Sequence, residues 1–378
     1  DNQGVLESVV TGINQISYAF LLSGPATALM DLINVPTRGL SVLAANHSSM
    51  GAVKELAKAT ALANRITEKR MRKNEEGVPT MLDDPTLSKE LRYAIGEFMR
   101  SGVAQQTEVE SLQYLGAKAT DINAGVLKKT AQKIGRGASL ATLGFSHFMS
   151  KLTREIVFTA SYNLSIKEGK KPDEAIRIAI AETKEALGDF SVNSRPRYMQ
   201  GELGRLVFNL KSFMVNTLLF EVVNLKRMIK ADSKEERAAA ATKFLGLWAT
   251  TALALGQPAT PLYTVIMSVL GLAFEYLKED DWPEDMKAMN FEMWYRTIWI
   301  PEHLGEGLGG FVNHGLLGFT GWDLTYRASL DVVKQLMDWS QSLTPPGISV
   351  MVNMYEGMKK WERGEVEEGT KKMLPAIA

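Results

Sequence analysis

Apolar residues recur along the chain at the spacing of an α-helix, and no alternating run of any length predicts a strand. Four apolar side chains of the segment 81–102 share one helical face: Leu87, Leu91, Ile95 and Phe98. This helix is predicted to begin at residues 83–86 and to end at Gly102. The pattern as a whole predicts an all-α fold, an extended assembly of many helices.

Residue chemistry marks where several other helices begin and end. One helix is predicted over residues 38–54, after a Pro-Thr step. Another begins at Asp173 and ends before Gly188, because glycine suits the left-handed backbone just past a helix. Ser233 and Glu236 have the spacing of a capping box, in which a hydroxyl and a carboxylate satisfy the first amides of a helix.

The stretch 189–230 joins a basic, proline-containing turn to a long helix. Fifteen positions between Leu206 and Ile229 are apolar. The polar positions fall mostly in one sector at 100° per residue: Asn209, Ser212, Asn216, Thr217, Glu221, Asn224 and Arg227. Such a helix is either the buried centre of a helical domain or lies in a lipid interface, and periodicity leaves both interpretations open.

The most apolar part of the chain, residues 244–274, has 31 positions and no charge. Gly256-Gln257-Pro258 and Pro261 divide it into two pieces, each shorter than the roughly 20 residues that span a bilayer. A central apolar helical hairpin is therefore predicted, buried in protein or dipping into one leaflet. One kinked span also stays open, because membrane helices tolerate proline. Residues 8–30 form a second uncharged run, hinged at Gly24-Pro25.

The helix and the hairpin supply the candidates for contact with a membrane or a protein partner. These are the apolar residues Leu206, Phe213, Phe220, Phe244, Leu247, Trp248, Leu255, Val265 and Leu270. The basic turn supplies four candidate phosphate contacts: Arg195, Arg197, Arg205 and Lys211. The alternative for these cations is an ion-paired start of the helix.

Composition narrows the chemistry. The 378 residues contain no cysteine, which excludes disulfides, thiolate metal sites and thiol nucleophiles. Lysine and arginine balance aspartate and glutamate at 43 each, so the global basic surface of a dedicated nucleic-acid binder is missing. The four histidines are scattered without metal-ligand spacing. No catalytic constellation is found, and we expect neither an enzyme nor a cofactor or metal site.

Composition shifts predict four regions. Residues 1–102 form an N-terminal helical region, and residues 103–126 are polar and glycine-punctuated, typical of a loop or linker. Residues 127–281 form a central helical domain with the apolar hairpin. Residues 282–378 are predicted to form an irregular aromatic and glycine-rich cap followed by C-terminal helices.

Several short motifs occur in a fixed order in the second half of the chain. Asp189-Phe190-Ser191 precedes Arg195-Pro196-Arg197, and Gly201-Glu202-Leu203-Gly204-Arg205 follows. Phe208, Lys211 and Phe213 continue this pattern, and the later steps are Gly321 to Arg327, Gly364-Glu365 and Lys371 to Pro375. Together they resemble the PLxRFG region near the end of very large phage virion proteins that are ejected with the DNA. Glu202 stands where that motif has proline, and Leu206-Val207 where it has Phe-Gly.

The resemblance implies a segment of a phage internal virion protein that is stored in the virion and then delivered into the host cell envelope, the periplasm and inner membrane. There it would help to form a conduit for genome DNA. The implied partners are other ejected proteins, further copies of the chain, inner-membrane lipid and, non-specifically, phage DNA. The alternative is a permanently soluble interaction module of the virion that oligomerises through its apolar helices.

Overall fold

The computed structural model describes residues 30–66, 84, 87–105, 148–188, 212–260 and 291–319, with single positions between 263 and 273 and between 359 and 368. Within these ranges the chain is helical and contains no strand, which confirms the all-α prediction. The chain divides into two compact units. The first comprises Asp1–Ser212 with Thr344–Ala378, and the second comprises Phe213–Leu343.

The first unit contains five described helices. They are α1 (Leu40–Asn46), α2 (Ser49–Arg65), α3 (Lys89–Arg100), α4 (residues 148–167) and α5 (Pro172–Leu187). A π-helical turn at Val35–Gly39 leads directly into α1. Helix α5 packs against both α1 and α3.

Helix α4 lies at the centre of the first unit, and every residue from 152 to 162 is buried. The Phe158 ring stacks on Phe98 of α3, with ring centroids 4.3 Å apart. Gly39 lies so close to α4 that a Cβ atom there would be 2.9 Å from Val157. A central helix buried on all sides must accommodate its polar side chains internally, and this requirement creates the polar clusters described below.

Two predicted helix starts are confirmed by the capping geometry. The Ser233 hydroxyl accepts a hydrogen bond from the Glu236 amide at 3.0 Å, which is the hydroxyl half of the predicted capping box. Helix α5 begins at Pro172 and ends at Leu187, and Gly188 has φ +80° as predicted for the residue past its end. Local sequence therefore determines these boundaries.

Two other predicted boundaries are wrong. The single helix predicted over residues 38–54 is broken at His47, whose φ and ψ are −128° and −151°, and the Ser48 hydroxyl caps a new helix by accepting from the Gly51 amide at 3.1 Å. The helix predicted to begin at residues 83–86 begins instead at Lys89, capped by Ser88. In both cases a serine competes successfully for the helix amides.

The second unit contains four described helices. They are α6 (Ser212–Lys230), α7 (Lys234–Leu255), α8 (Phe291–Trp294) and α9 (Ile300–Gly318). A π-helical turn at Tyr295–Trp299 joins α8 to α9, and α9 packs against α7. Gly256 ends α7 with φ +88°, and a 3-10 turn at Gln257–Ala259 follows.

The irregular cap predicted from residue 282 onward is wrong for residues 291–318, which are helical. Aromatic side chains four residues apart stack along the helix axis. Ring centroids are 6.0 Å apart between Phe291 and Tyr295, 5.2 Å between Tyr295 and Trp299, and 4.4 Å between Trp299 and His303. These (i, i+4) contacts support the helix up to His303, and the glycines on which the prediction rested follow that residue.

Glycine is required where α9 crosses the end of α7. Gly315 has φ +63°, and a Cβ atom there would lie 2.5 Å from the backbone nitrogens of Gly256 and Leu255. Gly305, at φ +75°, is the other non-helical position in α9. The two backbones therefore touch at Gly256 and Gly315 without intervening side chains.

The predicted apolar hairpin is only partly described. Its first arm is the second half of α7, and its break falls at Gly256 as the sequence indicates. Most of the second arm, like the run at residues 8–29, lies outside the described residues. The hairpin and the four predicted domain limits stay predictions, although the contact-based division groups α4 and α5 with the N-terminal helices rather than with the hairpin.

Candidate functional site

Three polar side chains of helix α6 are buried. Thr217, Glu221 and Asn224 lie on one face at spacings of four and three residues, and all three are buried, with Glu221 fully inaccessible. The Asn224 amide donates a hydrogen bond to the Phe220 carbonyl at 2.7 Å. Three members of the polar sector seen in the sequence are thus buried, whereas Arg227 of the same sector is exposed.

The opposite face of α6 is apolar and exposed. Leu219, Val222, Val223 and Ile229 have 45%, 46%, 43% and 65% of their surface accessible. These four residues are called the α6 apolar face below. A surface helix of a water-soluble domain has the reverse arrangement, with apolar residues inside and polar residues outside. This inversion is the most informative feature of the second unit.

Three cations share the exposed side of α6 near its C-terminal end. Lys226, Arg227 and Lys230 are all exposed, and within the described residues none of them forms an ion pair. Glu221 is the one acidic residue of α6, and it faces inward. The exposed side of the described part of this helix therefore carries apolar and positively charged groups only.

Helix α7 also places apolar side chains in the solvent. Its buried positions are Ala240, Lys243, Leu247, Thr251 and Leu255, and its exposed ones include Leu245, Ala249 and Leu253. Among the described residues, α7 is the one helix long and apolar enough to cross a membrane, which by itself is weak support. Only 28% of the most apolar 18-residue stretch of α7 is buried, so α7 is not a typical core helix.

Apolar exposure continues elsewhere in the second unit. Further exposed large apolar side chains are Ile266, Val269, Leu270, Met293, Leu304, Leu308, Leu316 and Phe319. Exposed apolar residues scattered singly are normal in proteins, but contiguous rows mark contact with a partner or a membrane. The rows on α6 and α7 are of the second kind.

The predicted contact residues fall into four groups. Leu270 is exposed, whereas Phe220, Phe244 and Trp248 are half-buried. Leu247 and Leu255 are buried inside the unit. Leu206, Val265 and the side chain of Phe213 lie outside the described residues, as do the predicted phosphate contacts Arg195, Arg197, Arg205 and Lys211.

Sequence reasoning missed the residues that form the exposed rows, above all Val222, Val223, Leu245 and Leu253. The periodicity of α6 separates a polar sector from an apolar one, but it does not tell which sector the rest of the unit covers. The signal that could have found them is the wide apolar arc opposite Glu221 and Asn224.

The first unit contains a buried cluster around His47, at the break between α1 and α2. Its Nδ1 lies 2.6 Å from the Glu168 carboxylate, and its Nε2 lies 3.1 Å from that of Glu182. Glu182 also accepts hydrogen bonds from the Ser161 hydroxyl at 2.5 Å and the Asn46 amide at 3.0 Å. The cluster thereby connects α1, α4 and α5.

The charges in this cluster stabilise each other. Burial alone would lower the pKa of the His47 imidazole, but the hydrogen bonds and charges of Glu182 and Glu168 outweigh it and raise that pKa to about 9. Burial alone would raise the pKa of Glu182, but its bonds from His47 and Ser161 lower it below the usual range. His47 is therefore a cation held between two carboxylates at neutral pH.

A second cluster, centred on Glu55 of α2, repeats this arrangement. Lys167 and Lys58 both pair with the buried Glu55 carboxylate, and Asn163 donates to it at 3.4 Å. Burial alone would raise the pKa of Glu55, but the two lysines lower it overall. Both clusters tie buried charges on neighbouring helices together.

No match to a known protein was found. The chain matches no protein-family model, no curated protein and no solved structure. Within the described ranges, no group of three histidine, aspartate or glutamate side chains could hold a metal ion. The exposed apolar rows of the second unit are the most specific structural feature that bears on function.

Proposed function

We propose that this chain is a segment of a phage internal virion protein that is delivered into the host and helps to form a conduit for genome DNA across the bacterial envelope. The observation that carries the proposal is the inversion of α6, with Glu221 and Asn224 inside and Val222 and Val223 outside. The motif resemblance around residues 189–213 supplies the biological setting. The role proposed is not enzymatic.

Transfer of the exposed apolar rows out of water lowers the free energy, and this favours contact with an apolar partner. Burial of apolar surface is worth about 25 cal/mol per Å², and a row of aliphatic side chains on a rigid helix presents that surface at little further cost in entropy. Leu219, Val222 and Val223 of α6, with Leu245 and Leu253 of α7, form two such rows. A lipid interface or the helices of other subunits would cover them.

The exposed rows need no unfolding of the second unit to make contact, because they already face outward. The buried positions Leu247 and Leu255 hold α7 against the unit and would become available only if that packing opened. We therefore place first contact at α6 and the outward side of α7. The proposed partners are other ejected proteins, further copies of the chain and inner-membrane lipid. DNA would be bound non-specifically, through the phosphate contacts Arg195, Arg197, Arg205 and Lys211.

Single-cysteine variants of the full chain test the membrane contact directly, because the sequence has no cysteine to interfere. Val222→Cys is labelled with an environment-sensitive fluorophore and mixed with lipid vesicles. The matched control is Val53→Cys on α2, since Val53 and Val222 have 50% and 46% of their surface exposed. We expect a blue shift with vesicles at position 222 and none at position 53.

Vesicle flotation of the unlabelled chain gives the second readout. Val222→Ser combined with Val223→Ser should reduce flotation strongly, whereas Met50→Ser combined with Val53→Ser should leave it unchanged. Absence of flotation at every lipid composition, pH and salt concentration would overturn the membrane part of the proposal. Equal blue shifts at positions 222 and 53 would show that the contact is not made by α6.

The exposed row on α7 also supports the second candidate, a permanently soluble interaction module. Leu245, Ala249 and Leu253 recur every four residues, a spacing that suits packing against a helix of another subunit. Sedimentation of the full chain without lipid distinguishes the two. A single oligomer that dissociates on Leu245→Ser with Leu253→Ser, and that never floats with vesicles, would favour this candidate.

A further inference from the structure

The exposed side of α6 is ordered along the helix axis. The middle of the helix carries Leu219, Val222 and Val223, and its last turns carry Lys226, Arg227 and Lys230 together with Ile229. At 1.5 Å per residue, the centres of the two groups lie about 10 Å apart along the axis. An apolar group beside a cationic one at this spacing matches the boundary between the acyl chains and the headgroups of a membrane leaflet.

We infer that α6 binds specifically to membranes with anionic headgroups, its apolar face entering the acyl boundary and its three cations contacting lipid phosphates. This inference rests on the proposed function and deepens it by naming the lipid chemistry. The long side chains of lysine and arginine allow their charges to reach the headgroups, while the exposed side chain of Ile229, on the same side of the helix, enters the acyl boundary. The inserted α6 apolar face and the three cations then contribute to binding together.

The sign of the charge is the first reason for choosing anionic lipid. Every charged side chain on the exposed side of the described part of α6 is positive, since its acidic residue Glu221 is buried. The three cations form no ion pair within the described residues, so no internal carboxylate has to be displaced. Exposed acids begin only after the helix, at Asp232, which confines the attraction to the last turns of α6.

The neighbours of the cations are the second reason. A nucleic-acid backbone would neutralise Lys226, Arg227 and Lys230 but would leave the α6 apolar face in water. A lipid interface satisfies both groups at once, because it has phosphates at the surface and acyl chains directly below. Three cations next to four exposed aliphatic side chains on one helix therefore favour lipid over DNA.

The test compares vesicles of phosphatidylcholine alone with vesicles that contain phosphatidylglycerol, using the full chain. Each cation near an anionic surface strengthens binding by about five-fold, so the triple variant Lys226→Gln, Arg227→Gln and Lys230→Gln should bind anionic vesicles about 100-fold more weakly. Its binding to phosphatidylcholine should be unchanged. Wild-type binding to anionic vesicles should also fall as salt is raised.

The matched control removes three exposed cations from the first unit, by Lys54→Gln, Lys171→Gln and Arg177→Gln. It changes net charge equally, so retained binding shows that position matters rather than total charge. Circular dichroism checks that both variants keep the wild-type helix content.

Two results overturn the inference in different ways. Equal binding of the wild type to both kinds of vesicle, or wild-type affinity of the α6 triple variant for anionic vesicles, would overturn the anionic specificity and leave the proposed membrane function standing. No binding to any vesicle would overturn both. If the control variant lost binding to the same extent, the effect would be due to net charge, and the inference that the cations of α6 contact the lipid would be overturned.

Discussion

The two units of this chain are both helical, but they differ in which side chains they bury and which they expose. The first unit buries charges such as His47, Glu55 and Glu182 and satisfies each with a partner from another helix. The second unit buries polar groups as well, among them Glu221 and Asn224, but more of its large apolar side chains are exposed. Of the eighteen exposed large apolar side chains in the described ranges, four lie in the first unit and fourteen in the second.

The difference shows what each unit can do alone. With its buried charges around His47 and Glu55 paired and four large apolar side chains exposed among its described residues, the first unit has little apolar surface for a partner to cover. A unit that presents the α6 apolar face and the outward row of α7 is complete only when something apolar covers them. This contrast is the reason for locating the proposed function in the second unit.

The largest effect is expected where the first unit pairs its buried charges. Glu182→Ala removes the carboxylate that contacts His47, Ser161 and Asn46, and it leaves the imidazolium partly unpaired. Breaking a buried ion pair in this way costs about 4 kcal/mol. Hydrogen exchange of peptides from residues 148–188 should report this loss of protection.

The control lies on the same helix. Glu174→Ala removes a carboxylate 3.4 Å from Lys170, but both side chains are exposed by more than 40%, so we expect a change below about 1 kcal/mol. Equal effects of the two substitutions would mean that the His47 cluster does not stabilise the first unit.

The next effect is expected at the crossing of α7 and α9 in the second unit. Gly315→Ala places a Cβ atom 2.5 Å from two backbone nitrogens at a φ of +63°, where neither backbone can move aside easily. We expect a loss of about 3 kcal/mol in unfolding free energy. The fluorescence of Trp294 and Trp299, both in this unit, follows unfolding in urea.

Gly310→Ala is the matched change on the same helix. A Cβ atom at Gly310 meets nothing within 4 Å, and its φ is not positive. Alanine there should stabilise α9 by up to about 1 kcal/mol. If Gly315→Ala were as well tolerated as Gly310→Ala, the close crossing of the two helices would be contradicted.

A smaller, pH-dependent effect is expected from His47. Its pKa is about 9 in the folded chain against 6.5 for an ordinary histidine, so the folded state binds this proton more tightly. The stabilisation is fully present below pH 6.5 and is lost as the pH rises through 9. Allowing for solvent near the exposed Glu168, it amounts to about 2 kcal/mol.

Comparison with His47→Gln isolates this contribution from other groups that titrate. Between pH 6 and pH 9.5 the wild type should lose about 2 kcal/mol more than the variant in the stability of the first unit, again followed by hydrogen exchange. Parallel pH profiles for the two proteins would show that the imidazole does not carry the charge assigned to it.

The sequence predicts well what depends on neighbouring residues. The helical class, the Ser233 cap and the positive φ of Gly188 all follow from local chemistry. It fails where distant residues decide. The partners of His47 lie 121 and 135 positions away, so the cluster around it has no local signal, whereas the helix break at this residue is marked by the Ser48 cap.

The exposed apolar surface of α6 and α7 could be predicted from the sequence only in part. Periodicity separates Glu221 and Asn224 from the exposed apolar residues of α6, yet it does not tell which of the two sides is buried. The predicted contact residues Leu247 and Leu255 are apolar and correctly placed on α7, but they occupy its buried side. Their neighbours Leu245 and Leu253 take the exposed side instead.

The smallest expected effect tests the comparison most directly. Val222→Ser should change the unfolding free energy by less than about 0.5 kcal/mol, because nearly half of this residue is already exposed to water in the folded chain. Leu247→Ala, on the buried side of α7, should cost about 3 kcal/mol. Both are measured by urea unfolding without lipid, with tryptophan fluorescence as the probe.

Protein concentration gives this last measurement its discriminating power. If Val222→Ser proves costly, and the cost grows with protein concentration, then another copy of the chain covers the α6 apolar face without lipid, and the soluble module is the correct function. If the cost is large at every concentration, the face is internal and the inversion of α6 is contradicted. A negligible cost that coincides with lost vesicle binding separates folding from function, since the same side chain then matters only at the membrane.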